Sequence, residues 1–175
     1  WLLRAWLNGG LKTSPRLAEI LFSCATCGNC VEHCVFPKFK DDILHAFLAA
    51  REEMANQGAV PPAVRDYLKA LQVHGNPYKL PGPERGKWLN GLALEPYSGQ
   101  EYLFHAGCVG SFDERGMKMA RSVVGLLKKL GVSFGILGTE ENCDGNEALA
   151  LGEKGVFQSL VERNIQEFKS RGVKR

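Results

Sequence analysis

Four of the chain's six cysteines fall inside one short stretch, Cys24-Ala25-Thr26-Cys27-Gly28-Asn29-Cys30-Val31-Glu32-His33-Cys34, a C-x2-C-x2-C-x3-C run. Thiols this dense in sequence are metal ligands more readily than core residues. A [4Fe–4S] cluster asks for thiolates aimed at several corners from one side, and two-residue gaps let a tight curl supply them while its amide N–H groups face the sulfides. Gly28, without a Cβ, eases such a curl. Structural zinc is the alternative metal, although zinc usually joins two C-x2-C pairs across a longer hairpin. Disulfides fit less well, because nothing in the chain suggests secretion. His33 reads as a supporting or surface residue rather than a ligand.

In two-cluster ferredoxins the fourth cysteine of such a run binds the other cluster. On that pattern Cys24, Cys27 and Cys30 share one cubane and Cys34 reaches to a second, completed by residues outside this chain, since no second C-x2-C run occurs here. The proline that usually follows the fourth cysteine is displaced, with Val35-Phe36 before Pro37, a minor variation. The chain starts at Trp1 without the features of a secretory signal, and its ligand set is incomplete; both give the expectation of a piece of a longer protein.

Composition narrows the partners. With 22 basic and 19 acidic residues the net charge is +3, and no Lys/Arg stripe interleaves with aromatics, so nucleic acid is not an expected partner. The balance of 45% hydrophobic to 23% charged residues is that of a globular protein. Apolar runs such as residues 46–50 fall far short of the ~20 residues that cross a bilayer, so no transmembrane segment is expected.

Ser14-Pro15 reads as the N-cap and first residue of a helix carrying Leu17, Ile20 and Leu21 into Cys24. Asp41 or Asp42 caps a second helix, with Ile43, Leu44, Phe47, Leu48, Arg51 and Met54 at helical spacing to near Gly58. Pro61-Pro62 opens a third, and the amphipathic start, Trp1 to Leu7, reads as a packed helix. Residues 74–99 alternate Pro and Gly and read as a linker, with Trp88 anchoring it in a core. Beyond it come a strand at 101–106, a helix at about 114–130 stopped by Gly131, a strand at 132–137 and a single helix at about 147–169. That order implies parallel strands, whose functional loops lie at their carboxyl ends, where Cys108 and Cys143 sit. Each also lies near a helix N-terminus, which favours thiolate. The expected class is α+β in two units: a helical ferredoxin-type domain over 1–73, the linker over 74–99, and an α/β cysteine-rich domain with parallel strands over 100–175.

The ordered motifs resemble the HdrD-type iron–sulfur subunits, those related to heterodisulfide reductase, a group that includes the glycolate oxidase iron–sulfur subunit and lactate-utilisation proteins. There a helical ferredoxin domain precedes CCG-type cysteine-rich domains, each with a Gly-Cys after its first strand and a later Cys-Cys-Gly. Gly107-Cys108 matches the first element and Glu141-Asn142-Cys143-Asp144-Gly145 the second, with Asp144 where the family has its second cysteine. The C-x-x-C that completes the family's ligands would lie past Arg175. The resemblance implies an iron–sulfur electron-transfer subunit of an anaerobic oxidoreductase, an oxidoreductase component rather than a complete enzyme. It implies a [4Fe–4S] cluster at Cys24, Cys27, Cys30 and Cys34, and at Cys108, Cys143 and Asp144 either a second cluster or a redox site for a disulfide, thiol or quinone partner. Aspartate would be a harder ligand than thiolate. The implied partners are other redox subunits, a flavoprotein, a dehydrogenase or a membrane quinone-linked subunit, and the implied location is the cytoplasm, peripheral to the inner face of a membrane through those partners. The competing reading is a zinc-stabilised interaction module without redox activity. Nucleotide binding has only Gly107-Cys108-Val109-Gly110 in its favour, short of G-x-G-x-x-G.

Overall fold

The computed structural model describes residues 1–36, 38–40 and 42–175; Pro37 and the cap expected of Asp41 lie outside the described residues. The chain divides into two compact units, residues 1–68 with 145–157 and residues 69–144 with 158–175.

The first unit is helical: α1 (Leu2–Leu7), α2 (Pro15–Phe22), α3 (Asn29–Glu32), α4 (Asp42–Asn56), the start of α5 (Pro62–His74), α8 (Asn146–Ala150) and the start of α9 (Lys154–Ser170). Ser14 caps α2 as its sequence predicts, its Oγ accepting from the Leu17 N–H at 3.2 Å, with Pro15 at the first helical position. Leu17, Ala18 and Leu21 of α2 bury against Ala50 and Met54 of α4, and Leu2, Leu3 and Trp6 close the cluster. Fully burying a leucine or methionine side chain contributes about 1.5–3 kcal/mol. The amphipathic N-terminus is therefore packed, and the Trp6 indole donates to Thr13 Oγ1 at 3.0 Å.

Arg51, at a core-facing position of α4, is 2% exposed. Its guanidinium donates to the carbonyls of Leu21 (2.9 Å), Cys24 and Ala150 (2.6 Å), and lies over the Phe22 ring. It thereby satisfies carbonyls where α2 gives way to the cysteine run. Burial depresses its pKa, while the nearby Cys24 opposes that shift. The helix expected over 147–169 is two helices, broken at Gly152, whose φ is +83°. A Cβ there would sit 2.4 Å from the Arg51 carbonyl carbon, so the close approach requires glycine.

The second unit carries a 3-10 helix (Gly82–Leu89), β1 (Tyr102–Phe104), α6 (Gly107–Phe112), α7 (Glu114–Lys129), β2 (Phe134–Ile136) and a short 3-10 turn (Gly138–Glu140). The strands are parallel, with Leu103 opposite Gly135, which makes the chain α+β as its sequence predicts. They are shorter than expected, but the parallel order is extended by Pro96 bridging to Ile136, and the Leu103 N–H of β1 donates to the Arg175 carbonyl at 2.8 Å. Trp88, Ala120 and Val124 form the core, with Phe104 and Phe134 packed on it. Residues 74–99 thus supply a core tryptophan, 2% exposed, and the 3-10 helix that carries it. The helix α6 has no counterpart in the sequence pattern. It opens at Gly107, φ +69°, and packs so closely on α7 that a Cβ on Gly116 would meet the Val109 carbonyl oxygen at 2.2 Å. Asp113 then caps α7, its Oδ1 accepting from the Gly116 N–H at 2.7 Å. Among the described residues no helix is long and apolar enough to cross a membrane.

Candidate functional site

The cysteine run leaves α2 as a curl that is left-handed at Thr26 (φ +51°) and at Gly28 (φ +77°), where α3 begins. Cys27 and Cys30 are exposed, and Cys24 and Cys34 half-buried, all four as free thiols. Two amides serve their sulfurs: the Thr26 N–H donates to Cys24 Sγ and the Phe36 N–H to Cys34 Sγ, each at 3.4 Å. Cys27, Gly28, Asn29, Val31, Glu32 and Leu44 line an open concavity beside them. The exposed His33 ring is turned to the Asn29 carbonyl, with Nδ1 at 3.1 Å. Soft donors on one curl, amide hydrogen bonds to sulfur and a glycine at the tightest point suit an iron–sulfur cluster.

In the second unit, Cys108 lies on the first turn of α6 beyond β1, and Cys143 on the loop beyond β2. The structure brings these two together: the Cys143 thiol hydrogen-bonds Cys108 Sγ. Cys108 is half-buried and Cys143 is 3% exposed. Asp144 is exposed, and its charge acts on Cys108 by opposing ionisation. The Arg85 Nη2–H donates to Cys108 Sγ at 3.4 Å, and Arg85 Nη1 lies 3.5 Å from Ser111 Oγ. Arg85 is held in turn by the buried Glu141, 3.7 Å away, and by the Phe112 ring, 4.9 Å from its guanidinium carbon. The Cys143 hydrogen bond, aided by Arg85 and opposed by burial, brings the Cys108 thiol down from 9.0 to about 7.

Glu141 ties the motifs together. Its Oε1 accepts from the Ala106 N–H at 2.8 Å and its Oε2 from the Gly107 N–H at 3.0 Å, so the Gly-Cys turn hangs on the loop that carries Cys143. Burial pushes its pKa above the ordinary carboxylate value, against the pull of His105, the two amides and Arg85. On the other side of the loop the Asn164 Nδ2–H donates to the Cys143 carbonyl at 2.9 Å. Sequence reasoning placed the cysteines and missed Arg85, Glu141, Ser111 and Asn164. Glu141 lay inside the quoted motif, where a carboxylate two residues before a cysteine was the available signal.

Residues 102–175 match the family described as cysteine-rich domain, CCG. Three curated relatives extend the likeness over nearly the whole chain. "EtfAB:quinone oxidoreductase" of Syntrophomonas wolfei is 36% identical, over 90% of this chain and 23% of that protein. "Probable iron-sulfur-binding oxidoreductase FadF" of Bacillus subtilis is 32% identical over the same shares. The HdrD polypeptide of the dihydromethanophenazine:CoB--CoM heterodisulfide reductase of Methanosarcina barkeri is 25% identical over 99% of this chain and 43% of its own length. The chain thus spans less than half the length of each of these relatives. No solved structure gives a significant match. With its thiol curl, its Cys108 and Cys143 motifs and these matches, the chain is similar to the iron–sulfur, cysteine-rich proteins of the HdrD type, related to heterodisulfide reductase.

Proposed function

We propose that this chain is the iron–sulfur electron-transfer portion of a larger anaerobic oxidoreductase. Cys24, Cys27 and Cys30 hold a [4Fe–4S] cluster, and Cys34 serves a second cluster completed by residues outside this chain. The observation that carries this reading is the curl itself: four free thiols on one short loop, with two of the sulfurs already receiving backbone N–H groups. A bound cubane supplies one-electron transfer at a potential set by hydrogen bonds to sulfur and by exposure. The Thr26 and Phe36 amides stabilise negative charge on Cys24 and Cys34, and Arg51 fixes where the curl leaves α2 by holding the Cys24 carbonyl. For Cys108, Cys143 and Asp144 the redox-site reading is preferred. It is supported by the interaction of the two thiols, by a guanidinium that donates to Cys108 Sγ, and by the exposure of Asp144.

The partners in this reading are a flavoprotein, a dehydrogenase or a quinone-linked membrane protein, which would hold the chain at the cytoplasmic face of a membrane. The relatives' names, an EtfAB:quinone oxidoreductase among them, support that choice. The test is iron, zinc and acid-labile sulfide content of protein purified without oxygen. About four irons with matching sulfide per cubane are expected, with an EPR signal after dithionite reduction, and both should be lost in Cys27→Ser. Zinc without sulfide would replace this reading with that of a structural interaction module.

A further inference from the structure

We propose that Arg51 is the buried counter-charge of a cluster held by Cys24, Cys27 and Cys30, and that its cation sets how readily that cluster takes up an electron. The inference rests on the [4Fe–4S] reading of the cysteine run.

Three features carry it. Arg51 is 2% exposed, and a guanidinium keeps its proton at any ordinary pH, so a full positive charge sits inside the helical unit. That charge has no carboxylate to answer it. Among the described residues no ion pair includes Arg51, and the adjacent Glu52 turns instead to Lys154, 3.9 Å away. The groups Arg51 does meet carry only partial charge: the carbonyls of Leu21 and Ala150 in the last turns of α2 and α8, the Cys24 carbonyl just beyond α2, and the face of the Phe22 ring. A buried charge left in this way is costly until an opposite charge comes near. Finally, the thiol curl gives that opposite charge a place. The Cys24 sulfur is only a side chain's length from the carbonyl that accepts the Arg51 Nη2–H, and Cys27, Cys30 and Cys34 follow on the same curl.

A thiolate-ligated cubane is an anion in both oxidation states, and its reduced form is more negative by one unit. One electron delivered by a reduced flavin or by dithionite adds that charge. The donor is oxidised by the same electron, no bond is made or broken, and no proton moves. In a water-poor interior opposite charges attract far more strongly than at a surface, so a fixed cation beside Cys24 favours the reduced state and raises the potential. An exposed cation such as Arg16 on α2, whose side chain is 80% exposed, is screened by solvent and contributes nothing comparable. Nor can Arg51 swing away, because carbonyls of α2, of the curl and of α8 all hold it.

The experiment takes the holoprotein, purified without oxygen, and follows by dithionite titration the midpoint potential of the EPR signal that Cys27→Ser abolishes. Arg51→Gln and Arg51→Met remove the buried charge, Arg51→Lys keeps it, and Arg16→Gln removes an exposed one. The two neutral Arg51 variants are expected to keep iron, sulfide and the wild-type circular dichroism while disfavouring reduction about tenfold, a potential about 59 mV lower for one electron. Arg51→Lys and Arg16→Gln should stay within about twofold of the wild type. Iron lost from both neutral variants with their circular dichroism unchanged, while Arg51→Lys stays loaded at the wild-type potential, also supports the counter-charge. A neutral variant loaded at the wild-type potential would overturn the proposal, as would Arg51→Lys losing its iron or shifting as far as Arg51→Gln. Loss of fold in Arg51→Gln and Arg51→Met would mean a role in packing alone and overturn it too. Wild-type protein without iron and sulfide fails the cluster reading itself, whereas a failed counter-charge leaves both in place, so the two failures are told apart.

Discussion

Glu141 is 5% exposed, yet its two oxygens serve two amides and a guanidinium. Its folded-state pKa is raised by burial, so between the ordinary carboxylate value and that raised value the folded chain keeps a proton that the unfolded chain has released. Stability contributed this way is complete below the unfolded pKa and is lost as pH climbs through the folded one. Urea unfolding of the wild type from pH 4 upward should therefore show stability falling across that window, with the fall absent in Glu141→Gln. The cysteines of both sites were legible in the sequence because ligand and motif chemistry fixes their spacing along the chain. Arg85 was not, because its contacts with Cys108 and Glu141 are made across 23 and 56 residues from a Pro/Gly-rich stretch with no period of its own.

At the scale of elements, the junction of α6 and α7 reverses a local preference. Alanine is favoured over glycine inside a helix by about 1 kcal/mol. On α7, however, a Cβ at Gly116 would lie 2.2 Å from the Val109 carbonyl oxygen, whereas at Gly125 it would meet nothing within 4 Å. Gly116→Ala should accordingly destabilise the chain by about 1–3 kcal/mol through overpacking. Gly125→Ala on the same helix should stabilise it by up to about 1 kcal/mol, and denaturant midpoints will tell the two apart. The same opposition of local and tertiary terms explains which elements could be read in advance. Helix α2 declares itself through its Ser14 cap and its spaced apolar residues, and α4 through its spaced apolar residues. The break between α8 and α9 is set by Gly152 lying on the Arg51 backbone, and α6 by Gly107 and Gly116, contacts that no periodicity carries.

Taken whole, the molecule asks where its cysteine-rich part begins. We propose that this part needs residues 82–92 as well as 100–175, because Trp88, Leu89 and Leu92 share its core with Ala120 and Val124. A fragment spanning 69–175 should unfold cooperatively on heating, followed by circular dichroism, while one spanning 100–175 should show no cooperative transition. Arg121 points the same way, its guanidinium donating to the carbonyls of Trp88 and Asn90 at 2.5 and 2.8 Å. The Glu141 clasp gives this architecture a bearing on how such domains can be exchanged. Neither cysteine motif is a portable cassette: transplanting the Cys108 turn into a related scaffold without residues 82–89 and the 141–143 loop would carry over a thiol stripped of its cation and of the carboxylate that aims it.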